Sequence, residues 1–179
     1  MQHVTRGGIE LELFVADLFD IPLLDNSIDI VYTSHSLEPN GGYEEELLKE
    51  LYRITNNYLI LLEPAYDLAN DTAKARMKKH GYVTTLHETA KKLGYKILVH
   101  ELYGVHSNPL NPTGLIIIEK NADESIENPF CDPMTKTELT KMGNVFFSQN
   151  SLISYPIVNG VPCLMKDYAI ITTKMSTFY

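Results

Sequence analysis

The sequence predicts an α/β fold with a largely parallel sheet, followed by a small β-rich region. Two apolar runs, one ending at Asp17 and one at Ser34, are bounded by turn residues and fit strands of such a sheet. Residues 58–63 are almost wholly apolar, which is typical of a strand in the middle of a parallel sheet. Beyond residue 128, short apolar runs separated by turns predict the β-rich region.

Strands and a helix alternate through the first third of the chain. Apolar residues alternate with glutamates from residue 9, so a strand with one solvent-facing side is expected over 9–16. A second strand is expected over 28–33. Residues 43–54 predict a helix with one apolar stripe and three glutamates in its first turn, where they complement the helix dipole. The asparagine pair at 56–57 is expected to end this helix before the strand at 58–63.

Two further helices and two strands are predicted before residue 120. One helix is expected from an Asn70-Asp71 cap to about residue 79, and another over 86–93, each followed by a glycine. Strands are expected over 95–103 and 113–119. The Asn-Pro pairs in the linker between these strands predict turns.

Bulk composition excludes several classes of function. The 179 residues carry a net charge of −8, which argues against binding to a nucleic-acid backbone. No run of 18 apolar residues is present, so no membrane span is expected, and the amino terminus lacks the apolar core of a signal peptide. Cysteine occurs twice, at Cys131 and Cys163, which favours a cytoplasmic protein with free thiols.

Residues 14–39, FVADLFDIPLLDNSIDIVYTSHSLEP, carry a family resemblance. This stretch resembles the middle of a class I, Rossmann-like S-adenosylmethionine-dependent methyltransferase. The resemblance lies in the order of its parts: an apolar strand, Ala-Asp, a loop with Ile-Pro, Asp-Asn-Ser-Ile-Asp, a second apolar strand and Ser-His-Ser-Leu-Glu. The predicted order of elements up to residue 119 is similar to the second half of that fold, whose last two strands form an antiparallel hairpin.

The resemblance implies a cofactor, S-adenosylmethionine, and residues that bind it. Asp17 and Leu18 would contact the adenine ring. Ser34, His35 and Leu37 would line the side where the methyl group is transferred, with His35 as the candidate catalytic base. Base-amino methyltransferases of this family carry an Asn/Asp-Pro-Pro-aromatic motif at that position, which is absent here, so a small-molecule acceptor is expected rather than a nucleic acid.

Each of these side chains also has a structural interpretation. An aspartate after a strand is more often a turn or cap residue, so Asp17 alone decides little. His35 is equally well explained as a packing or helix-capping histidine at the sheet edge. Glu38 is expected to cap the next helix rather than to assist catalysis. Glu63 faces either a substrate or, as the safer interpretation, a salt-bridge partner.

The first strands of the resembled fold have no counterpart in the sequence. A Gly-x-Gly loop between a strand and a helix, which lets the backbone approach the cofactor, is missing, and the gap corresponds to on the order of 50 residues. Without those strands, the strand at 28–33 presents an open edge through which a homo-oligomer or partner chain can bind. Three explanations stand: upstream residues are deleted or disordered, a partner or second copy fills the gap, or the strand at 9–16 pairs directly with the strand at 28–33 and the chain is a degenerate relative. The first is favoured, and if the chain folds alone, binding of S-adenosylmethionine is expected to be weak or absent.

The predicted domains are a partial methyltransferase domain, 1–122, and a small β-rich domain, 128–179. Residues 154–162, SYPIVNGVP, resemble the Tyr-Pro-Ile-x-x-Gly-Ile-Pro signature of the small zinc-ribbon-like activator subunits of methyltransferases. A structural zinc site needs about four ligands. Since only two cysteines are present and the histidines are scattered, no metal is expected, and Cys131 is expected to be a buried thiol.

Two functions follow from these expectations. The first is a S-adenosylmethionine-dependent methyltransferase acting on a small molecule. The second is a non-catalytic relative that serves as a protein-interaction module. The missing glycine loop favours the second for this chain. The edges at Asp17 and at Ser34-His35 favour the first for a parent protein of which this chain would be the carboxyl-terminal part.

Overall fold

The computed structural model describes residues 11–105, 108–123 and 126–174. The chain divides into two compact units. We call residues 25–123 the sheet–helix unit, and residues 11–24 together with 126–174 the β-rich unit.

The sheet–helix unit contains one four-stranded mixed sheet and three helices. Strands β1 (Ile28–Ser34) and β2 (Thr55–Pro64) are parallel neighbours, and β4 (Thr113–Glu119) pairs antiparallel with both β2 and β3 (Lys96–Leu102), so that the order is β1-β2-β4-β3. The helices are α1 (Glu44–Ile54), α2 (Asp71–Lys79) and α3 (Leu86–Lys92). The predicted strands and helices of this region are confirmed, as is the antiparallel hairpin of the last two strands.

One face of the sheet is buried and the other is partly open. Successive side chains of a strand point to opposite faces. In β1, Val31 and Thr33 are buried, whereas Ile30 and Tyr32 are 54% and 71% exposed. The apolar stripe of α1 supplies part of the core on the buried side, since its leucines and Ile54 are at most 4% exposed. β1 is the last strand on its side of the sheet within the described chain, as predicted.

Local signals in the sequence fix the ends of the helices. The side chain of Asn70 accepts a hydrogen bond of 2.9 Å from the amide of Ala73, which is the predicted cap of α2. The predicted end of α1 at residue 54 is confirmed, but the asparagine pair is not what stops the helix. Thr55 takes an extended conformation and its hydroxyl donates to the carbonyl of Leu51 at 2.7 Å, so β2 begins at once and the asparagine pair lies inside the strand.

The β-rich unit is a curled antiparallel half-barrel. Its strands are β5 (Thr140–Met142), β6 (Val145–Ser148), β7 (Ile153–Val158), β8 (Val161–Pro162) and β9 (Ile170–Ile171), in the order β5-β6-β7-β8 with β9 also on β7. Asp132 is fully buried and accepts hydrogen bonds from the Tyr155 hydroxyl at 2.8 Å, the Ser151 hydroxyl at 2.6 Å and the Met134 amide at 2.8 Å. The bonds from Ser151 and Tyr155 connect the segment around Asp132 to β7 and the turn before it.

The predicted strand over 9–16 is wrong for the residues that can be assessed. Residues 9 and 10 lie outside the described chain, and residues 11–16 form no strand. Val15 makes one isolated bridge, donating to the carbonyl of Pro162 and accepting from the amide of Leu164, both at 2.8 Å. Residues 11–24 therefore group with the β-rich unit, whereas the predicted division placed them with residues 25–122.

The longest α-helix of the described chain, α1, has 11 residues. A bilayer-spanning helix needs about 20, so no helix in the described chain is long and apolar enough to cross a membrane.

Candidate functional site

The carboxyl ends of β1 and β2 form the candidate site in the sheet–helix unit. Because the two strands are parallel, Ser34 at the end of β1 and Pro64 at the end of β2 lie at the same edge of the sheet. Thr113, the first residue of β4, pairs with Pro64 and so lies at this edge too. Open α/β sheets bind ligands at the carboxyl ends of their parallel strands.

His35 occupies this edge in a constrained conformation. Its φ of +51° is left-handed, which few residues other than glycine and asparagine adopt. Its amide donates to the carbonyl of Leu62 at 3.0 Å, which ties the turn to β2. Nδ1 of His35 lies 2.6 Å from Oε2 of Glu38, and Nε2 lies 2.8 Å from the hydroxyl of Thr113. Asn111 also donates to Oε2 of Glu38, at 3.0 Å.

These hydrogen bonds determine which nitrogen of His35 accepts a proton. Burial opposes ionisation of Glu38, but hydrogen bonds from His35, Asn111 and Tyr82 outweigh it and lower the pKa of the carboxyl group. A carboxylate only accepts hydrogen bonds, so Nδ1 of His35 carries the hydrogen in the neutral ring and Nε2 is the acceptor. The predicted helix cap is wrong for Glu38, because α1 begins only at Glu44 and Glu38 is bound within the His35 cluster.

Ser34, His35 and Ser36 are exposed, whereas Leu37 is fully buried. Leu37 thus anchors the segment in the core and leaves the three preceding polar side chains at the surface. The Oδ1 atom of Asn111 is buried and has no hydrogen-bond partner among the described residues. The site therefore holds an acceptor atom whose hydrogen-bonding capacity is unused.

Glu63 lies at the same end of β2 but points into the unit. It is 2% exposed, and its Oε1 accepts a hydrogen bond of 3.1 Å from the amide of Ser36. Its Oε2 has no hydrogen-bond partner in the described chain, and the expected salt bridge is not formed there. Burial raises the pKa of this carboxyl group.

A small pocket next to Glu63 gathers three side chains that the sequence analysis did not connect. The pocket is lined by Glu63, Tyr66, Asp67, His87 and His100, among others. Oδ2 of Asp67 lies 2.9 Å from Nε2 of His100 and 3.5 Å from Nδ1 of His87. The imidazole rings of His87 and His100 are stacked, with their centroids 3.5 Å apart. Burial, followed by the neighbouring His100 and Lys91, lowers the pKa of His87.

The predicted adenine contacts lie in the β-rich unit. Asp17 is exposed, and its Oδ1 accepts a hydrogen bond of 2.9 Å from the amide of Phe19, which is the geometry of an Asx turn. Its carbonyl accepts from the amide of Asp20 at 3.1 Å. Leu18 is half-buried. Asp17 and Leu18 thus belong to one unit, and Ser34 and His35 to the other.

Cys131 and Cys163 are not joined in a disulfide. Cys131 is fully buried, as predicted, and Cys163 is half-buried with its thiol 3.7 Å from the carbonyl of Val161. Both lie in the β-rich unit.

A comparison with protein-family models gave no match, and a comparison with curated proteins gave none either. Arguments about function therefore start from the side chains and the topology described above.

Proposed function

We propose that the sheet–helix unit forms the methyl-acceptor side of a S-adenosylmethionine-dependent methyltransferase acting on a small molecule. The observation that carries this proposal is the His35 cluster at the carboxyl edge of two parallel strands, with one imidazole nitrogen fixed as a proton acceptor. Its position, directly after Ser34, is the one that the resemblance assigns to the methyl-transfer side.

The topology of the sheet supports the proposal. The order β1-β2-β4-β3, with one parallel pair followed by an antiparallel hairpin, agrees with the arrangement expected for the second half of the methyltransferase fold. In that fold the first strand would pair with the free edge of β1. The sequence has no glycine-rich loop, so we expect the cofactor to bind weakly to this chain.

The polar groups at the edge fit such a ligand. S-adenosylmethionine, when bound, supplies an electrophilic methyl group on a sulfonium. Exposed Ser34 and Ser36 can hydrogen-bond its polar amino-acid part, and the unpartnered Oδ1 of Asn111 can accept from an ammonium or hydroxyl group. The adenine role of Asp17 and Leu18 remains a prediction of the resemblance.

His35 would act as the general base for a hydroxyl acceptor. Nε2 of His35 already accepts a hydrogen bond from the Thr113 hydroxyl, so it can accept one from a substrate hydroxyl brought to the same place. The cofactor would supply the methyl group, whose bond to sulfur breaks and leaves the thioether as the acceptor oxygen is methylated, and Nε2 of His35 would accept the proton that this oxygen loses. Glu38 then stabilises the resulting imidazolium through Nδ1. Positioning of the acceptor supplies much of the remaining rate enhancement.

Calorimetric titration with S-adenosylhomocysteine tests the proposal. We expect saturable heat with a dissociation constant in the millimolar range. Asp17→Ala removes the carboxylate assigned to adenine and is expected to weaken binding about tenfold, which corresponds to about 1.4 kcal/mol. The matched control is Asp71→Ala, which alters an exposed aspartate in the first turn of α2.

Absence of heat at millimolar ligand would contradict cofactor binding by this chain. Unchanged affinity in Asp17→Ala would refute the adenine assignment alone and leave the sheet-edge assignment to be judged from Ser34 and His35.

A second candidate function is self-association through β1. Its outer edge has no strand partner in the described chain, and Ile30 and Tyr32 next to that edge are largely exposed. Open edges pair readily with another strand, and a second copy of β1 related by a two-fold axis would pair with it antiparallel. This function requires no cofactor.

A further inference from the structure

The pocket beside Glu63 brings together three side chains from three separate elements. Asp67 lies in the loop after β2, His87 in the first turn of α3 and His100 in β3. One ligand atom from each lies within 4.8 Å of the other two. The cavity is small, about 20 Å³, which accommodates an ion or a water rather than an organic molecule.

We propose that Asp67, His87 and His100 bind a divalent transition-metal ion. Two imidazole nitrogens and one carboxylate oxygen are a ligand set that proteins use for zinc and for iron(II). With bonds of about 2.0–2.2 Å, the ligand atoms of a tetrahedral zinc site lie about 3.3–3.6 Å apart. The observed distances of 2.9 Å and 3.5 Å from Oδ2 of Asp67 to the two nitrogens are close to these separations, so the main change on binding would be rotation of the two imidazole rings.

Glu63 is a further carboxyl group of the same pocket. It is 2% exposed and lines the pocket, and its Oε1 accepts a hydrogen bond from the amide of Ser36. Burial has the largest effect on the pKa of this carboxyl group and raises it, whereas Thr33 and the amide of Leu37 also act on the group and lower the pKa. Water bound to an ion on the three ligands would donate a further hydrogen bond to it, since outer carboxylates commonly orient such groups.

The nature of the ligands selects the class of metal. Calcium and magnesium prefer oxygen ligands throughout, so two imidazoles disfavour them. Three protein ligands leave a coordination position for water or a substrate, as in catalytic rather than structural zinc sites. An ion lies in the plane of each imidazole that binds it, so binding would turn the stacked rings of His87 and His100 apart.

Hydrogen bonding alone is the competing explanation of the cluster. Asp67 would then accept from both imidazoles, and Glu88, whose carboxylate lies 3.7 Å from Nδ1 of His87, would contribute to the same surface network. That arrangement needs no ion, so only a binding measurement separates it from the proposal.

Equilibrium dialysis of the full chain against zinc chloride separates the two explanations. We expect one zinc ion per chain with a dissociation constant in the micromolar range or tighter, and a visible absorption band when cobalt(II) replaces zinc. His100→Ala and Asp67→Asn should each weaken zinc binding at least about tenfold and abolish the cobalt band. The matched control, His80→Gln, alters an exposed histidine of the same unit and should bind zinc as the wild type does.

Two results would overturn the proposal. One is a wild-type chain that binds no zinc at about 100 μM, well above the dissociation constants of protein zinc sites of this kind. The other is undiminished binding by both ligand variants, which would place the ion elsewhere, for example at the thiols of Cys131 and Cys163. Asp67→Asn preserves the shape of the side chain, so it remains informative if His100→Ala does not fold.

Discussion

At the end of β1, the left-handed backbone conformation of His35 sets the positions of the polar side chains at the sheet edge. The φ of +51° at His35 turns its ring toward Glu38 and Thr113, so that both nitrogens are engaged. The sequence indicated that this histidine lies past a strand end, but it gave no reason to connect it with Thr113, 78 residues further on. The cluster depends on β4 returning beside β2, which is a property of the tertiary fold.

Glu38 offers a test of this cluster through the pH dependence of stability. Its pKa is lower in the folded chain than the ordinary 4.5, so it stabilises the fold above that pH, and this contribution is lost as the pH falls through the folded-state pKa. Glu38→Gln should therefore lower the free energy of unfolding by about 1–2 kcal/mol near neutral pH. The difference from wild type should shrink as the pH falls below 4.5.

Urea denaturation of both proteins across this pH range measures the effect. Glu101→Gln, which alters an exposed glutamate of β3, serves as the control and should change stability little at any pH. An equal loss of stability for Glu38→Gln at both ends of the range would show that its charge is not what binds the cluster together.

The candidate metal ligands show a different limit of sequence reasoning. Asp67, His87 and His100 are separated by 20 and 13 positions and lie on a loop, a helix and a strand. None of these spacings places two ligands on one face of one element, so no local pattern identifies them. For that reason, the sequence did not predict a metal site.

At the scale of elements, the sequence predicted those features that depend on interactions between residues close together in the chain. The apolar stripe of α1 and the Asn70 cap of α2 depend on residues within a few positions of one another, and both are confirmed. Residues 11–16 carry the alternation of a strand but form none, because a strand also needs a neighbour and alternation does not supply one. Val15 finds only the single bridge to the segment around Cys163.

Self-association through the open edge of β1 can be tested by measuring the oligomeric state of the chain. If its open edge pairs with a second copy, the wild-type chain should sediment as a dimer at high concentration in analytical ultracentrifugation. Tyr32→Lys places a charge beside the edge and should shift the equilibrium to the monomer. Tyr43→Lys, at an equally large tyrosine that is 57% exposed just before α1, is the matched control and should leave the dimer intact.

A wild-type chain that remains monomeric at every concentration would exclude this second function. Dimerisation that persists in Tyr32→Lys would instead place the interface on another surface.

On the scale of the whole molecule, the chain is two units whose boundary differs from the one predicted. The composition change near residue 121 lies close to the end of the sheet–helix unit. The assignment of residues 11–24 to the β-rich unit was not predictable, because the hydrogen bonds that hold Val15 come from residues 162 and 164, far along the chain. The sheet of the larger unit was predicted strand by strand from residue 28 to residue 119.

The proposed function requires that S-adenosylmethionine binds at the sheet edge formed by Ser34 and His35. Titration of S-adenosylhomocysteine into the ¹⁵N-labelled chain, followed by amide chemical shifts, locates the ligand directly. We expect progressive shifts at residues 34–37, 111 and 113, and weaker or no shifts there when adenosine, which lacks the amino-acid part, is added instead. Amides of residues 34–37 that do not move at millimolar S-adenosylhomocysteine would contradict the proposed function.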